Sequence, residues 1–193
     1  LGVLEAKIVE GGGSPMGGPK PKALINICDE QWVIKFFNNE PIDAPLVEHA
    51  AMMLAQKAGI TVAQTQVIKL AGFHALAIKR FDRDQGKRIH CLSAGTALRA
   101  AAPISQEPQM SYPALARLLI RDGVKQNNTH LKDAQELFRR MVFSILMDNT
   151  DDHEKNHTLL VLQPFENSQI KLAPAYDFCL LYTSDAADDS LRV

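Results

Sequence analysis

The hydrophobic period of the chain changes once, near residue 83, and this change limits the possible folds more than any other feature. Before it, alternating and β-branched residues predict strands at 23–28, 31–37, 65–70 and 74–78, with a helix at 45–58. After it, apolar residues three and four apart predict two helices and then two short strands, at 112–122, 131–147, 158–162 and 170–172. The sequence therefore predicts an α+β fold with a β-rich first lobe and a helical second lobe.

Charge and cysteine usage exclude several classes of protein. The 193 residues include 21 basic and 22 acidic side chains, a formal net charge of −1, so we expect no direct binding to nucleic acid or to an anionic membrane. No run of about 18 apolar residues occurs that would predict a membrane span. The three cysteines, Cys28, Cys91 and Cys179, have no CxxC spacing, which is typical of a reduced, cytoplasmic protein.

The densest polar segment is DNTDDHEKNH at 148–157, directly after the longer predicted helix, which carries Phe138, Val142, Ile145 and Leu146 on a common face. His153 to His157 match H-E-x-x-H, a pattern in which two histidines on one face of a helix bind zinc. The Asn, Thr and Asp residues before them are poor in helix interiors, and the TLLVL after them is a strand pattern. Zinc hydrolysis is therefore the less favoured alternative.

A phosphoryl-transfer loop is the favoured interpretation of the same segment. Protein kinases place an Asp that accepts the proton of the attacking hydroxyl five residues before an Asn that holds magnesium. Asp151 and Asn156 have this spacing, and Asp177 follows the predicted 170–172 strand, where a second magnesium ligand is needed. An Asp and an Asn at this spacing also suit a capped turn, so the pair by itself leaves that alternative open.

Two upstream features fit a kinase. Lys35 interrupts an apolar strand, where a lysine is costly to bury unless it is paired, and kinases pair such a lysine with a helix glutamate, here Glu48. The alternative is a Lys35 that points outward from a half-buried strand. The glycines at 11–13, 17 and 18 suit backbone N–H groups that approach phosphate oxygens, or else a flexible linker.

Taken in order, these segments resemble the HipA-like serine/threonine kinases, the toxins of bacterial toxin–antitoxin pairs. Six segments carry the resemblance: GSPMGGPKPKALI (13–25), WVIKF (32–36), VEHAAMMLAQKAGI (47–60), KRFDR (79–83), NTDDHEKN (149–156) and LAPAYDF (172–178). The resemblance implies a protein-kinase-like, two-lobed fold, with an N-lobe at 1–83 and a C-lobe at 84–178. It also implies transfer of the ATP γ-phosphate, with Mg²⁺, to a protein Ser or Thr hydroxyl, and a DNA-binding antitoxin as partner.

The resemblance implies roles for individual residues as well. Asp151 is implied as the catalytic base, with His153 and Asn156 beside it, and Asn156 and Asp177 as the Mg²⁺ ligands. The implied ATP-binding residues are Gly17, Gly18, Lys20, Lys22, Lys35, Lys79, Arg80, Phe81 and Lys155. Two positions depart from the family pattern, because Pro15 stands where members often carry an autophosphorylated Ser, with Ser14 adjacent, and Lys79 stands where Glu is common.

The end of the chain has a different origin in our interpretation. Its CLLYTSDAAD (179–188) matches one reading frame of the transposase adapter used in tagmentation sequencing libraries. We therefore expect 179–193 to be adapter read-through and the chain to be a fragment, truncated at both ends. A fragment that keeps these residues and binds nucleotide without transferring phosphate stays an alternative to an active kinase.

Overall fold

The computed structural model describes residues 21–37, 42–70, 72–84, 86–162 and 168–178. Contacts divide the chain into two compact units, 1–89 and 90–193. The predicted lobes, 1–83 and 84–178, stay a prediction. Gly17, Gly18 and Lys20 of the expected phosphate loop, and the expected read-through at 179–193, lie outside the described residues.

The first unit is built on a four-stranded antiparallel sheet in the order β1-β2-β4-β3. Its strands are β1 (Lys22–Ile27), β2 (Glu30–Lys35), β3 (Thr65–Leu70) and β4 (Phe73–Lys79). Cys28 and Asp29 join β1 to β2 with φ of 50° and 64°, the left-handed pair that matches the twist of a tight hairpin. A two-stranded ribbon of β5 (Arg83–Asp84) and β6 (Lys87–Arg88) follows.

Helix α1 (Ala44–Lys57) begins and ends where its sequence signals predict. The Asp43 side chain accepts a hydrogen bond from the Leu46 N–H, Pro45 lies in the first turn, and Gly59 follows the helix with φ of 81°. The helix packs against β3 and β4.

The two faces of the first sheet differ, because side chains alternate along a strand. Trp32 and Ile34 of β2 lie on one face, in a core with Ile25, Ala75 and Ala77. Lys35, one residue further, therefore points to the opposite face.

The second unit combines a three-stranded antiparallel sheet with three helices. Strands β7 (His90–Ser93), β8 (Thr158–Leu162) and β9 (Gln169–Leu172) pair in that order. The helices are α2 (Ala94–Ala101), α3 (Tyr112–Asp122) and α4 (Thr129–Leu146), with a 3-10 turn at Gln126–Asn128. The hydroxyls of Ser93 and Ser111 cap α2 and α3 by accepting from the N–H groups of Thr96 and Ala114.

A leucine-rich core joins these elements, with Leu98 of α2, Leu115 and Leu119 of α3, Leu137 of α4 and Leu159 of β8. Helix α4, however, buries a different face from the one that its apolar residues suggest. Phe138, Val142, Ile145 and Leu146 share a face as predicted, but that face is exposed. The buried face instead carries Asp133, Glu136, Arg140 and Ser144 together with Leu137 and Phe143, because these polar groups find hydrogen-bond partners inside the unit.

Most predicted elements are present within one or two residues of their predicted limits. The elements that the sequence analysis missed are β5, β6, β7 and α2, all between residues 83 and 101. They are too short for a period to be recognised, and β7 pairs with β8, which lies far along the chain. Among the described residues, none of the helices has the length and apolar character that crossing a membrane requires.

Candidate active site

In the first unit, the predicted lysine–glutamate pair is present. Lys35 Nζ lies 2.5 Å from Glu48 Oε1, and both side chains are buried, with 7% and 5% of their surface exposed. The pair forms because Lys35 points to the sheet face opposite Ile34 and Glu48 lies one turn into α1 on its buried side. A buried ammonium is tolerated here because a carboxylate accompanies it.

In the second unit, the segment after α4 is a loop rather than a helix. The chain leaves α4 through Asp148, whose φ is 52°, and residues 147–157 form successive turns up to β8. Asn156 Nδ2 donates a 3.0 Å hydrogen bond to the backbone oxygen of Asp151, which ties together the two residues of the Asp-x₄-Asn spacing. Asp151 is exposed, so its carboxylate is open to solvent at the surface of this unit.

This loop does not have the geometry that the zinc alternative requires. Residues 153–157 form no helix, His153 is exposed, and His157 is buried with its Nε2 3.3 Å from Asp152 Oδ1. Over the described part of the chain, His, Cys, Asp and Glu side chains form no group of three or more that could hold a metal ion. The H-E-x-x-H match is therefore not the helical zinc site that its pattern describes.

The β8–β9 hairpin connects this loop to Asp177. In an antiparallel pair, the residues that precede the first strand lie beside those that follow the second. Leu159 pairs with Leu172, and the Ala173 N–H donates to the Thr158 oxygen at 2.9 Å, so the hairpin register continues past the strand ends. The Tyr176 hydroxyl then donates to the Lys155 oxygen at 2.8 Å. Asn156 follows Lys155 in the chain, and Asp177 follows Tyr176. The two predicted magnesium ligands therefore lie in the segments at the same end of the hairpin.

The remaining predicted residues have different surroundings. Lys155 and His153 are exposed on the loop, Lys79 pairs with Glu30, and Lys22 opens β1 opposite Lys35. Arg80, predicted to bind ATP, holds Asp82 with two hydrogen bonds, from Nε to Oδ1 at 2.8 Å and from Nη2 to Oδ2 at 2.5 Å. Phe81 lies directly after it, half-buried. The binding of ATP by these residues stays a prediction.

Comparison with known proteins decides the family. The family model of the HipA-like C-terminal domain matches residues 14–193. The chain belongs to this family. Two curated relatives of this HipA-like chain carry the name “Putative kinase”. The one from Haemophilus influenzae is 28% identical in an alignment 189 residues long, which covers 86% of this chain and 52% of the relative. The other, Y4dM of Sinorhizobium fredii, is 29% identical in an alignment 158 residues long, which covers 76% of this chain and 36% of the relative.

Solved structures confirm the predicted kinase-like α+β fold. A chain of the Shewanella oneidensis complex of HipA, HipB and operator DNA matches with a TM-score of 0.65 at 20% identity, over 86% of this chain and 44% of that one. The Helicobacter pylori proinflammatory kinase CtkA matches with a TM-score of 0.62 at 18% identity, over 88% and 62%. The HipA-like chain thus spans about half the length, or less, of the curated relatives that it matches.

The sequence analysis missed the side chain that anchors the loop, Asp152. Its carboxylate is buried and accepts a hydrogen bond from the Tyr112 hydroxyl of α3. Burial alone would raise the pKa of Asp152, but hydrogen bonds from His157, Tyr112 and Ser144 outweigh it and hold the pKa below the ordinary value. Burial and the nearby Asp152 carboxylate raise the pKa of Tyr112, so its hydroxyl keeps the proton that it donates.

A second buried network fixes the strand that leads to Asp177. Asp133 of α4 accepts a 2.9 Å hydrogen bond from the Leu172 N–H, and Arg140 donates to the Ala173 oxygen at 2.8 Å. Arg140 is only 2% exposed and also donates to Glu136 at 3.2 Å. Burial lowers the pKa of Arg140 and raises the pKa of Asp133, which is the cost of keeping these groups inside. One signal of this network was visible in the sequence, since Asp133, Glu136 and Arg140 lie three and four residues apart on one helix face.

Proposed function

We propose that this chain binds Mg-ATP and transfers its γ-phosphate to a Ser or Thr hydroxyl of a protein. The observation that carries the proposal is the β8–β9 hairpin, which has the Asp151–Asn156 loop before its first strand and Asp177 after its second. Kinases need a catalytic base and an Asn and an Asp that bind magnesium, all positioned around the same phosphoryl group. Membership of the HipA-like family and the kinase-like fold support the same proposal.

Lys35 is the proposed phosphate ligand. Its pairing with Glu48 is the arrangement that protein kinases use, in which a strand lysine binds the phosphates and a helix glutamate orients it. Burial of the pair keeps the ammonium in one position, so that little side-chain freedom is lost when phosphate binds. Lys22, Lys79, Arg80, Phe81 and Lys155 are proposed as further contacts to the nucleotide.

The side chains of Asn156 and Asp177 fit a magnesium ion. Both offer oxygen atoms, the ligands that Mg²⁺ prefers, and Mg²⁺ is usually bound by one or two carboxylates together with substrate phosphates. Asn156 uses its Nδ2 on the Asp151 backbone, which makes its amide oxygen Oδ1 the atom suited to the metal. Asn156 and Asp177 would hold the ion, which would supply positive charge to offset the negative charge that develops on the phosphates.

Asp151 is the proposed base. In the transfer step, the acceptor hydroxyl attacks the γ-phosphorus, its proton passes to the Asp151 carboxylate, and the bond to the ADP oxygen breaks. The Asn156 hydrogen bond to the Asp151 backbone fixes the position from which the carboxylate acts. Such a base contributes a factor of about 10²–10⁴ to the rate.

The partner is also proposed rather than established. A chain of the Shewanella oneidensis complex that this chain resembles in fold is assembled with HipB and operator DNA. We propose that a small DNA-binding antitoxin binds the protein to which this chain belongs. With a net charge of −1, any association with DNA would pass through that partner.

Isothermal titration calorimetry of the full chain with ATP, with and without Mg²⁺, tests the proposal, followed by a phosphoryl-transfer assay with radiolabelled ATP. Asp177→Ala is expected to lose the Mg²⁺-dependent part of binding, and Asp151→Asn to keep binding but lose transfer by about 10²–10⁴-fold. Asp122→Asn, an exposed carboxylate paired with Arg121, is the matched control and is expected to behave as the unmodified chain.

Each result decides between the alternatives. Transfer retained by both variants would contradict the assigned site. Mg²⁺-dependent binding without transfer in the unmodified chain would identify a nucleotide-binding protein that lacks catalysis. Stoichiometric zinc that is lost in His157→Ala would instead favour the metal-hydrolase alternative.

A further inference from the structure

Asp152 directly follows the proposed base, but its side chain has the opposite environment. Asp151 is exposed, whereas the Asp152 side chain is only 9% exposed. Two neighbouring carboxylates in one turn therefore face solvent and interior, respectively. Ion burial is costly unless hydrogen bonds compensate for it, so the position of Asp152 requires an explanation.

Three parts of the second unit meet at the Asp152 carboxylate. The Tyr112 hydroxyl of α3 donates to Oδ2, and His157 Nε2 lies 3.3 Å from Oδ1 at the start of β8. Ser144 of α4 makes a smaller contribution, as one of the groups that lower the pKa of the carboxyl. The Tyr112 and His157 rings also touch edge to face, with centroids 5.3 Å apart. His157 Nδ1 is buried without a hydrogen-bond partner among the described residues, so the contact to Asp152 is what orients this ring.

The hub formed by Tyr112, Ser144, Asp152 and His157 lies at both ends of the proposed catalytic loop. Asp152 is next to the base, and His157 is next to Asn156, the proposed metal ligand. The contact between Asp152 and His157 therefore limits the distance between Asp151 and Asn156, the residues that directly precede them in the chain. The hydrogen bond from Asn156 to the Asp151 backbone oxygen closes the same loop one residue earlier in the chain.

We propose that Asp152 is a positioning residue, which through Tyr112 and His157 holds Asp151 in the orientation required of the base. The proposal rests on the function proposed above, since it assumes that Asp151 accepts the proton. The base has to lie within a fraction of an ångström of its working position, and groups that hold it there affect turnover more than binding. Asp152 and Tyr112 themselves touch neither nucleotide nor acceptor in this proposal.

The test uses Tyr112→Phe in the full chain, because this variant removes the hydroxyl that reaches Asp152 and keeps the ring against His157. Asp152→Asn and Asp152→Ala form a graded pair, since asparagine keeps the size and one acceptor oxygen. Hydrogen exchange by mass spectrometry, the melting temperature, Kd for Mg-ATP and kcat are measured on each. Asp122→Asn, which removes an exposed carboxylate, is the control.

The expected result is local. Exchange of the amides at 150–157 becomes about tenfold faster in Tyr112→Phe, while exchange in β1 to β4 of the first unit is unchanged. We expect kcat to fall about tenfold, the size that is typical when a supporting partner of a site is removed, and Kd for Mg-ATP to change less than about twofold. Asp152→Asn is expected to keep more activity than Asp152→Ala.

Two results would overturn the positioning role. One is unchanged exchange at 150–157 in all three variants. The other is exchange that rises equally through residues 90–178, because the hub would then stabilise the whole unit and not the loop. If the unmodified chain transfers no phosphate, the proposed function fails by that measurement, and the exchange data still decide whether Asp152 orders the loop.

Discussion

Each unit contains a buried polar contact, and the two contacts compensate for the burial of a charged side chain in different ways. The Lys35–Glu48 pair joins a strand to a helix, with a 2.5 Å distance between the opposite charges. The Asp152 hub joins two helices and the start of a strand through one carboxylate that lies in an irregular loop. The first contact joins two regular elements, whereas the second holds a loop that has no regular secondary structure.

The difference explains why one contact was predictable and the other was not. Lys35 interrupts an apolar strand, so its neighbours indicate that it needs a partner if it is buried, and the sequence offers Glu48. Asp152 lies among Asn, Thr, Asp and His, where no neighbour indicates which side chain turns inward. A polar residue is thus recognisable as buried only when the pattern around it is apolar.

The largest expected effect comes from breaking the first contact. Glu48→Ala leaves the Lys35 ammonium buried without the Glu48 carboxylate and should lower the free energy of unfolding by about 3–5 kcal/mol. Lys35→Met with Glu48→Leu removes both charges at similar volume and should be within about 1 kcal/mol of the unmodified chain, because neither member of the pair is left buried without the other. Urea unfolding followed by circular dichroism measures both, and a double variant as unstable as the single one would show that the pair contributes more than charge neutralisation.

A somewhat smaller effect is expected at the end of α3, the helix that carries Tyr112, where the chain makes a backbone hydrogen bond to β9. A Cβ at Gly123 would lie 2.2 Å from the Leu119 backbone oxygen, and the next residue, Val124, donates its N–H to the Ile170 oxygen at 3.2 Å. Gly123→Ala should cost about 3 kcal/mol by overpacking against backbone that cannot move aside. Gly59→Ala in the first unit is the comparison, since a Cβ there meets nothing within 4 Å and only the φ of 81° opposes it, at about 1–2 kcal/mol. Equal losses in urea unfolding would mean that the α3–β9 connection can relax.

The acid sensitivity of the two units should be similar in direction. Burial alone would raise the pKa of Asp82, but the hydrogen bonds from Arg80 and the charges of Arg80 and Arg83 hold it below the ordinary value of 3.8. A carboxyl with a folded pKa below its unfolded one stabilises the protein above the unfolded pKa, and this stability is lost as the pH falls through the folded pKa. The free energy of unfolding should therefore decrease below about pH 4, with a smaller decrease in Asp82→Asn. Urea titrations at several pH values test this. If the free energy of unfolding of the variant falls with pH as steeply as that of the unmodified chain, the acid sensitivity belongs to other groups, Asp152 among them.

The smallest expected effect on stability concerns the contact between α2 and the loop. A Cβ at Gly95 would lie 2.6 Å from Cγ of Glu154, so Gly95→Ala should displace the Glu154 side chain at a cost of about 1 kcal/mol. Glu154→Ala removes the obstruction, so the double variant should be more stable than the sum of the single effects predicts. Thermal unfolding of the four proteins gives the coupling energy, and strict additivity would mean that the two residues do not meet in solution.

The exposed stripe on α4 shows where pattern reasoning was incomplete. Phe138, Val142, Ile145 and Leu146 share a face, as their spacing predicts, and yet 61%, 36%, 70% and 78% of their surfaces are exposed. The buried face is held by Asp133 and Arg140, whose partners are backbone atoms of residues 172 and 173. Periodicity shows which residues share a helix face, but which face is buried depends on the atoms supplied by distant segments.

The sequence by itself determined the α+β order, most of the strand and helix limits and the resemblance to the HipA-like family, and it indicated Lys35 and Glu48 as a candidate pair. These follow from local period, capping residues and short motifs, all of which act within a few neighbouring positions. Only the tertiary structure decided that Asp152 turns inward beside an exposed Asp151, that the hairpin brings the Asn156 loop and the Asp177 segment together, and that α4 buries its charged face. These features depend on hydrogen bonds between residues far apart in the chain, such as those of Tyr112 with Asp152 and of Arg140 with Ala173, which no local pattern can specify.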